Sequence, residues 1–205
     1  TQVFNRYWDL SELSLLNANP NQIIQVSSHL YEVLLQSKNL CENTQVFDVT
    51  MLPLIKLWDY KKKVVPNQHQ IKGALKNTGC HLFSVLEPYF ISKKGKVQFD
   101  LGGIAKGYIL DEGVKNLKKH FAKKGILEIG GDLVVFGNKT WKVGILDPKT
   151  KTPAYVLELK NKALATSGDY ERFFTQDGVV YSHILDPRVG KPAVVLSHSV
   201  SVIGP

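Results

Sequence analysis

Three glycines and a lysine stand where a strand-like part of this chain gives way to a helical one. Residues 99–114 read FDLGGIAKGYILDEGV, and apolar residues then keep helical spacing. Gly102 and Gly103 let the backbone approach a ligand closely and expose N–H groups ahead of a helix N-terminus. Lys106 can reach a phosphate, and Asp100 can accept hydrogen bonds from a base or ribose. The stretch therefore predicts either an anion site or only a tight strand-to-helix turn.

Two standard phosphate-binding loops do not fit this stretch. A dinucleotide fingerprint needs G-x-G-x-x-G, whereas the order here is G-G-I-A-K-G. A Walker loop needs G-x-x-x-x-G-K followed by Ser or Thr, whereas Lys106 precedes Gly107 and no hydroxyl residue follows directly. The spacing alone thus argues against a Rossmann-type site and a P-loop site.

The order of the predicted elements favours an α+β fold with a mainly antiparallel sheet. Early segments carry helical patterns, including one over residues 19–39 with Asn19 as N-cap and Pro20 at the first helical position. Two strands are expected around a Lys-Gly turn within residues 81–100. Strand-like runs split by turn residues fill the chain after the next helix. Helices followed by many strands with short turns are typical of α+β proteins.

Four further sites in the sequence suit ligand, metal or proton chemistry or a close approach of the backbone. Thr166 begins a small polar run at a strand end, where it can face a phosphate or a metal. His183 lies in an alternating strand and is a candidate base only if it faces the same pocket. Asp48, directly after Phe47, can hold a purine or cap a helix. The glycine pair at 130–131 indicates a bulge or a close backbone approach.

Composition limits the classes of partner. The chain of 205 residues carries 26 Lys and Arg against 18 acidic residues, a net charge of +8. Because its lysines are scattered without arginine–aromatic interleaving, we expect a solvated basic surface and no nucleic-acid partner. A phosphate-rich small ligand or an anionic membrane face also suits this charge. No apolar run is long enough to span a bilayer. Cys41 and Cys80 lack metal-ligand spacing and are expected to be buried free thiols, with a disulfide between them as the alternative.

Several segments taken together resemble the ApbE family, the FAD:protein FMN transferases. DLGGIAKGY, TSGDYER and SHILDPR are highly specific as a set, and SELSLLN, FDVTMLPLIKLW, LEIGGDLVVFG and WKVGILDP accompany them in family order. The resemblance implies one ApbE-like, T-fold-like domain over residues 1–205. It also implies an enzyme that uses FAD and Mg²⁺ to attach FMN to a threonine of a target flavoprotein, releasing AMP. The alternatives are hydrolysis of FAD to FMN and AMP, and FAD binding without turnover.

The same resemblance assigns roles to residues. His183 matches a histidine thought to act in catalysis, while the Gly103 carbonyl and Thr166 match the Mg²⁺ centre. A tyrosine at position 7 is more typical of members that hold FAD than of efficient FAD hydrolases. Seven positions match FAD contacts, namely Tyr7, Val46, Phe47, Asp48, Asp100, Lys106 and Ile184.

The family pattern extends beyond both ends of this chain. After SVIGP the family continues with an A-D-A-L-x-T helix that carries side-chain Mg²⁺ ligands, and a strand with an M-G-T motif precedes the first residues. We therefore expect a domain truncated at both ends, with weak Mg²⁺ and FAD binding. Many members are exported lipoproteins, which implies an extracytoplasmic, membrane-anchored location, with a cytoplasmic one as the alternative. The membrane is then expected as a partner only through a lipid anchor outside this chain.

Overall fold

The structure, a computed structural model, describes residues 2–147, 150, 152–168, 173–193 and 199–205. These residues form five α-helices, and all of their strand pairs are antiparallel, which confirms the α+β prediction. None of the described helices is long and apolar enough to cross a bilayer. The helices are α1 (Glu12–Ala18), α2 (Ser28–Thr44), α3 (Leu52–Trp58), α4 (Gln68–Leu75) and α5 (Ala105–Lys119).

The strands are short and follow one another closely, above all in the second half of the chain. They are β1 (Ile23–Gln25), β2 (Phe83–Leu86), β3 (Phe90–Lys93), β4 (Lys124–Ile129), β5 (Asp132–Gly137), β6 (Trp141–Leu146), β7 (Pro153–Leu159), β8 (Lys162–Gly168), β9 (Phe173–Gln176), β10 (Val179–Ser182), β11 (Leu185–Asp186), β12 (Lys191–Pro192) and β13 (Ser199–Gly204).

The chain divides into two compact units. The first comprises Thr1–Ala105 and Phe173–Ala193, and the second comprises Lys106–Arg172 and Val194–Pro205. The expectation of a single domain over residues 1–205 stays a prediction.

The first unit combines α1–α4 with a three-stranded sheet, in the order β1-β3-β2, and with the hairpins β9-β10 and β11-β12. Its hydrophobic core includes Leu54 and Trp58 from α3, Ile71 from α4 and Phe174 from β9. The buried indole of Trp58 donates a hydrogen bond to the Gly190 carbonyl at 2.9 Å. Residues more than 100 positions apart in sequence are therefore fixed against the same helix.

The second unit is built on a four-stranded sheet, in the order β13-β8-β5-β4, with the hairpin β6-β7 beside it. Val135, Val143, Leu159 and Leu164 form its core cluster. Helix α5 comes close to β4 at Gly113, where an added Cβ would overlap the Leu127 side chain. Any larger residue there would push the Leu127 side chain aside, so glycine lets the helix and the strand pack closely.

The helix predicted from Asn19 is wrong at its start. Asn19 is instead the C-cap of α1, and β1 pairs with β3 before α2 begins. The N-cap of α2 is Ser27, whose Oγ accepts from the Leu30 N–H at 3.2 Å. Sheet pairing with distant residues thus overrides a good local capping pattern.

Two turn assignments also differ from the structure. The hairpin β2-β3 turns at the cis Glu87–Pro88 bond, and the Lys-Gly turn follows β3 rather than joining the two strands. Gly130 and Gly131, at φ +55° and +86°, form the turn between β4 and β5 rather than a bulge. Positive φ at both residues of a two-residue hairpin loop favours glycine, so this pair has a structural reason.

The prediction of free thiols is wrong as well, because Cys41 and Cys80 form a disulfide. Cys41 lies in the last turn of α2, and Cys80 opens a short 3₁₀ turn just ahead of β2. Folding brings their Cα atoms to 6.2 Å, within the range that a disulfide spans. A separation of 39 residues gives no local signal for this pairing.

Candidate functional site

A pocket of about 150 Å³ in the first unit collects residues from three separate parts of the sequence. Five of the residues predicted as functional line it, namely Phe47, Asp48, Asp100, Gly103 and His183. Three apolar residues, Met51, Ile55 and Leu185, complete the lining. Apolar lining with a few convergent polar groups is typical of ligand sites, although this pocket is smaller than the roughly 300–1,000 Å³ that most of them enclose.

The carboxylate of Asp48 is held in place by its own loop. Its Oδ1 accepts from the N–H of Thr50 at 2.7 Å and from the hydroxyl of Thr50 at 2.6 Å. The Thr50 oxygen in turn accepts from the Gly79 N–H at 2.6 Å, and Thr50 is fully buried. Asp48 does not cap α3, whose N-cap Met51 makes no side-chain cap bond. Its second oxygen, Oδ2, is not engaged by these bonds, and the residue lines the pocket.

Asp100, the second carboxylate of the pocket, is also fixed by defined contacts. Its Oδ1 accepts from the Gly102 N–H at 2.8 Å, and its Oδ2 pairs with Nε of Arg6 at 2.8 Å. The Arg6 guanidinium also donates to the Tyr7 hydroxyl at 2.6 Å and lies 4.6 Å from the centre of that ring. Arg6 therefore connects Tyr7, which is 78% exposed, to the wall of the pocket.

At both glycines of the pair in the DLGGIAKGY motif, a neighbouring side chain occupies the space that a larger residue would need. A Cβ at Gly102 would lie 2.9 Å from the Asp100 carboxylate, and a Cβ at Gly103 would lie 3.1 Å from the Phe47 ring. Both distances are shorter than an ordinary carbon contact, so a larger residue would displace a pocket side chain. This pair thus serves close packing around the pocket, and neither glycine has a positive φ.

His183 enters the pocket from the bend between β10 and β11. The residue before it, Ser182, is buried and accepts the hydroxyl of Tyr60 on its carbonyl at 2.5 Å. Burial raises the pKa of the Tyr60 phenol, so this donor stays protonated. The sequence predicted a strand position for His183, whereas the strand ends one residue earlier.

The turn that follows His183 is held by an ion pair. Arg188 donates from Nε to Oδ1 of Asp186 at 2.9 Å and from a terminal nitrogen to Oδ2 at 2.6 Å. These side-chain hydrogen bonds lower the pKa of Asp186 to about 2. Asp186 therefore stays ionised at neutral pH, and its bonds to Arg188 define the connection between β11 and β12.

Two other predicted residues lie together in the second unit. The Lys106 ammonium pairs with Oδ2 of Asp132 at 2.8 Å, and Oδ1 of Asp132 accepts from the Thr166 N–H at 3.3 Å. The hydroxyl of Thr166 is 2.8 Å from that of Ser201 on β13. Asp132 thus joins Lys106 and Thr166 in one polar cluster.

The remaining predicted residues stand beside the pocket lining rather than in it. Val46 is 64% exposed and precedes Phe47, while Ile184 lies between the pocket residues His183 and Leu185. The Ile184 carbonyl accepts from the Ala193 N–H at 2.8 Å. Sequence reasoning missed Arg6, Thr50 and Asp132, although a Thr two residues after an Asp is a recognisable local pattern.

The described residues do not supply a complete set of protein ligands for a metal ion. They contain no group of three or more His, Cys, Asp and Glu side chains that could hold one. The oxygen donors that occur, the carboxylates of the pocket and the hydroxyl of Thr166, are of the kind that Mg²⁺ prefers. Magnesium sites commonly draw other ligands from water and substrate phosphates, but the side chains described here do not form one by themselves.

Comparison with known proteins agrees with the motifs and the geometry. The profile of the ApbE family matches residues 1–205. The chain belongs to the ApbE family. A Treponema pallidum relative named FAD:protein FMN transferase is 34% identical over 96% of this chain and 61% of its own length. A relative of the same name from Klebsiella pneumoniae is 30% identical over 98% of this chain and 68% of its own length.

Solved ApbE structures share the fold. The ApbE protein of Thermotoga maritima superposes with a TM-score of 0.90 at 36% identity, covering 99% of this chain and 69% of that one. The Pseudomonas stutzeri flavinyl transferase ApbE, in its apo form, gives a TM-score of 0.89 at 29% identity, covering 99% and 66%. This ApbE chain thus spans about three fifths to two thirds of the length of the proteins that it matches.

Proposed function

We propose that the protein is an FAD:protein FMN transferase, which attaches FMN from FAD to a threonine of a target flavoprotein and releases AMP. One observation supports this proposal above the others. In a chain whose relatives carry that enzyme name, Phe47, Asp48, Asp100, Gly103 and His183 line one pocket. Partly apolar lining with two oriented carboxylates suits a ligand that has flat rings and hydrogen-bonding edges.

The proposed reaction is a phosphoryl-type transfer. The threonine oxygen of the target attacks the FMN phosphorus of FAD, and the bond from that phosphorus to the bridging oxygen breaks, so that AMP leaves. A threonine hydroxyl is a weak nucleophile near neutral pH. In the proposal His183 accepts the hydroxyl proton, which is the usual role of a histidine general base.

The other predicted residues bind and orient FAD in this proposal. Asp48 and Asp100 accept hydrogen bonds from FAD, for which their oriented carboxylates are suited. Phe47 offers a ring face, and Tyr7, Val46 and Ile184 extend the contact area. Lys106, which pairs with Asp132 in the structure, exchanges that carboxylate for a phosphate oxygen of FAD in this proposal.

Magnesium is part of the proposal through the family resemblance. The Gly103 carbonyl and Thr166 are proposed as ligands by that resemblance alone, because the two residues belong to different units. When bound, the metal would offset negative charge on the phosphate oxygens. Titration of the protein with Mg²⁺ in the presence of FAD, followed by calorimetry, tests this part independently of turnover.

Replacing His183 tests the proposed role in catalysis. We expect His183→Ala to bind FAD with nearly unchanged affinity and to lose transfer by at least about a hundredfold, as for removal of a general base. In-gel flavin fluorescence of the target measures transfer, and AMP release measures turnover. His69→Ala, which removes an exposed histidine on α4, is the matched control.

The outcomes separate three activities. Full transfer by His183→Ala would contradict the role of His183. Release of FMN and AMP without flavin on the target would instead identify a hydrolase. FAD binding without AMP release by the wild-type protein, in the presence of target and Mg²⁺, would identify a carrier.

We further propose that the protein works outside the cytoplasm, at a membrane, as the family resemblance implies. The disulfide between Cys41 and Cys80 supports this, because such bonds persist in oxidising compartments and are rare in the cytosol. Cell fractionation with thiol trapping tests the location. Recovery in the cytosol with both cysteines reduced would favour the cytoplasmic alternative.

A further inference from the structure

Helix α5 ends in a backbone conformation that disfavours the residue found there, Phe121. The Phe121 N–H bonds to the Lys118 carbonyl at 3.1 Å, and the Ala122 N–H bonds to the Leu117 carbonyl at 3.0 Å. These two bonds form a Schellman motif, in which the residue at the position of Phe121 is left-handed and usually glycine. Phe121 indeed has a φ of +66°. An aromatic residue in this conformation carries a steric cost that glycine avoids.

The Phe121 ring packs little against the described fold, so packing does not offset this steric cost. Phe121 is 91% exposed, more than any other large hydrophobic residue of the described chain. Leu117, one turn earlier on α5, is 38% exposed. A strained backbone position with an exposed aromatic side chain points to a partner outside the fold.

Lysines from the end of α5, from strands and from their connections lie at the end of the second unit's sheet where the α5–β4 connection carries Phe121. Lys124 lies opposite Gly137 in the β4-β5 pair, and the Gly137 N–H donates to the side chain of Asn161 at 2.8 Å. The β4 start, the β5 end and the β8 start therefore meet at one end of the sheet. We call this the basic end, and its exposed lysines are Lys118, Lys119, Lys123, Lys124, Lys139, Lys160 and Lys162.

In the described part of the chain, the segments of the basic end carry no carboxylate that would compensate its lysines. The segments 117–125, 137–141 and 159–162, which form it, have neither Asp nor Glu. Its seven lysines nearly equal the net charge of +8 that the whole chain carries. Most of the excess charge can thus be assigned to one surface, although the lysines look scattered along the sequence.

We propose that the basic end docks on a lipid bilayer with anionic headgroups, with Phe121 inserted at the interface and the lysines against the headgroups. An exposed aromatic side chain among lysines combines the two attractions that hold peripheral proteins on such membranes. A nucleic acid would use the charge but would not require the strained ring. This contact is independent of any lipid anchor and of the transfer reaction.

Vesicle binding of matched variants tests the proposal. We expect the wild-type chain to sediment with vesicles of phosphatidylcholine containing phosphatidylglycerol, and not with phosphatidylcholine alone. The double variant Lys123→Gln with Lys124→Gln should weaken vesicle binding by about tenfold or more, because each lysine contributes roughly a fivefold factor near an anionic leaflet. Phe121→Gly should weaken it by about tenfold or more as well, because it removes the inserted ring. Lys94→Gln with Lys96→Gln removes the same charge from exposed positions in the first unit and should have little effect.

Thermal melting separates docking from folding. Glycine relieves the left-handed position, so Phe121→Gly should melt no lower than wild type while losing vesicle binding. Equal vesicle binding by Phe121→Gly and wild type, or no binding of wild type to anionic vesicles, would overturn the proposal. Equal weakening by the two lysine pairs would overturn it too, because net charge alone would then explain the binding. If the wild type bound duplex DNA but not vesicles, and Phe121→Gly bound the DNA more weakly, the partner would be a nucleic acid instead.

Discussion

Gly103 illustrates how little space the pocket leaves beside Phe47. The position where a Cβ would stand is 3.1 Å from a ring carbon, although the backbone there is not left-handed. A Cβ here would force the Phe47 ring to give by a few tenths of an ångström, whereas the backbone conformation itself would accept a side chain. A substitution at this position acts directly on a residue predicted to contact FAD.

We predict that Gly103→Ala lowers FAD affinity by roughly tenfold, because overpacking of this kind costs on the order of 1–3 kcal/mol. Titration of FAD fluorescence measures the change. Gly107→Ala is the control, since nothing lies within 4 Å of a Cβ at that position and it is helical. Alanine in a helix interior should stabilise the protein by about 0.5–1 kcal/mol there. Equal FAD affinity of both variants would show that the Phe47 contact does not matter.

Lys93 is a charged residue inside the first unit. It is only 3% exposed, its ammonium donates to the Leu16 carbonyl at the end of α1, and it lies 5.9 Å from the centre of the Phe99 ring. Burial lowers the pKa of Lys93 to about 8, because the charged form is poorly solvated there. The unfolded chain keeps an ordinary lysine pKa of about 10.5.

This difference predicts how stability depends on pH. Between the two pKa values the unfolded state binds more protons than the folded state, so folding becomes more favourable as pH rises from about 8 to about 10.5. We expect the wild-type free energy of unfolding to gain about 2 kcal/mol relative to Lys93→Met between pH 7 and 10, given about 1.4 kcal/mol per pKa unit. Urea unfolding at several pH values measures this, and parallel curves for the two proteins would contradict it.

At the scale of elements, Asn17 connects the end of α1 to the segment that leads into the pocket. Its side-chain oxygen accepts from the Phe99 N–H at 2.7 Å, and its side-chain nitrogen donates to the Phe99 carbonyl at 2.9 Å. The amide thus pairs with the backbone as a neighbouring strand would. The next residue, Asp100, is held by a bond from its N–H to the Val49 carbonyl at 2.7 Å.

We predict that Asn17→Ala lowers the free energy of unfolding by about 1–3 kcal/mol, because both partners on the Phe99 backbone would lose their bonds. We also expect the affinity for FAD to fall, because the pocket residue Asp100 directly follows Phe99 in the chain. Asn43→Ala on α2 is a suitable control, because Asn43 is exposed and, among the described residues, its side chain bonds to the Asn39 carbonyl one turn away. Chemical denaturation compares the two, and equal losses would argue against a special role of Asn17.

At the scale of the whole molecule, the disulfide is a covalent cross-link between residues far apart in the described chain. It joins α2 to the turn ahead of β2 across 39 residues, within the first unit. Closing a loop of that length restricts the unfolded chain far more than the folded one. The segment that it encloses contains Phe47 and Asp48 of the pocket.

We therefore predict that reduction, or replacement of both cysteines by alanine, lowers the free energy of unfolding by about 2–4 kcal/mol. Denaturant unfolding with and without a reductant measures the loss. The double alanine variant must not respond to reductant, which controls for side effects of the reagent. Identical curves for oxidised and reduced wild type would contradict the prediction.

The local sequence was a good guide where structure depends on neighbours in the chain. The glycine spacing argued against two nucleotide loops, and the helical pattern after Gly103 corresponds to α5. It failed where distant partners decide: Asn19 and Pro20 form a sound capping pattern, yet Ile23–Gln25 pair with β3 instead. The disulfide is the same kind of failure, because no short-range feature indicates which helix end Cys80 will meet.

The sequence by itself determined the family, the α+β class and the identity of the residues predicted to act, because motif order and residue type are properties of the chain. Only the tertiary structure decided which of them share a pocket, since residues 47–48, 100–103 and 183 meet through packing around α3 and its neighbours. It also decided that lysines scattered along the sequence form one basic end around Phe121. Strand pairing brings these residues to a single surface, and no local pattern carries that information.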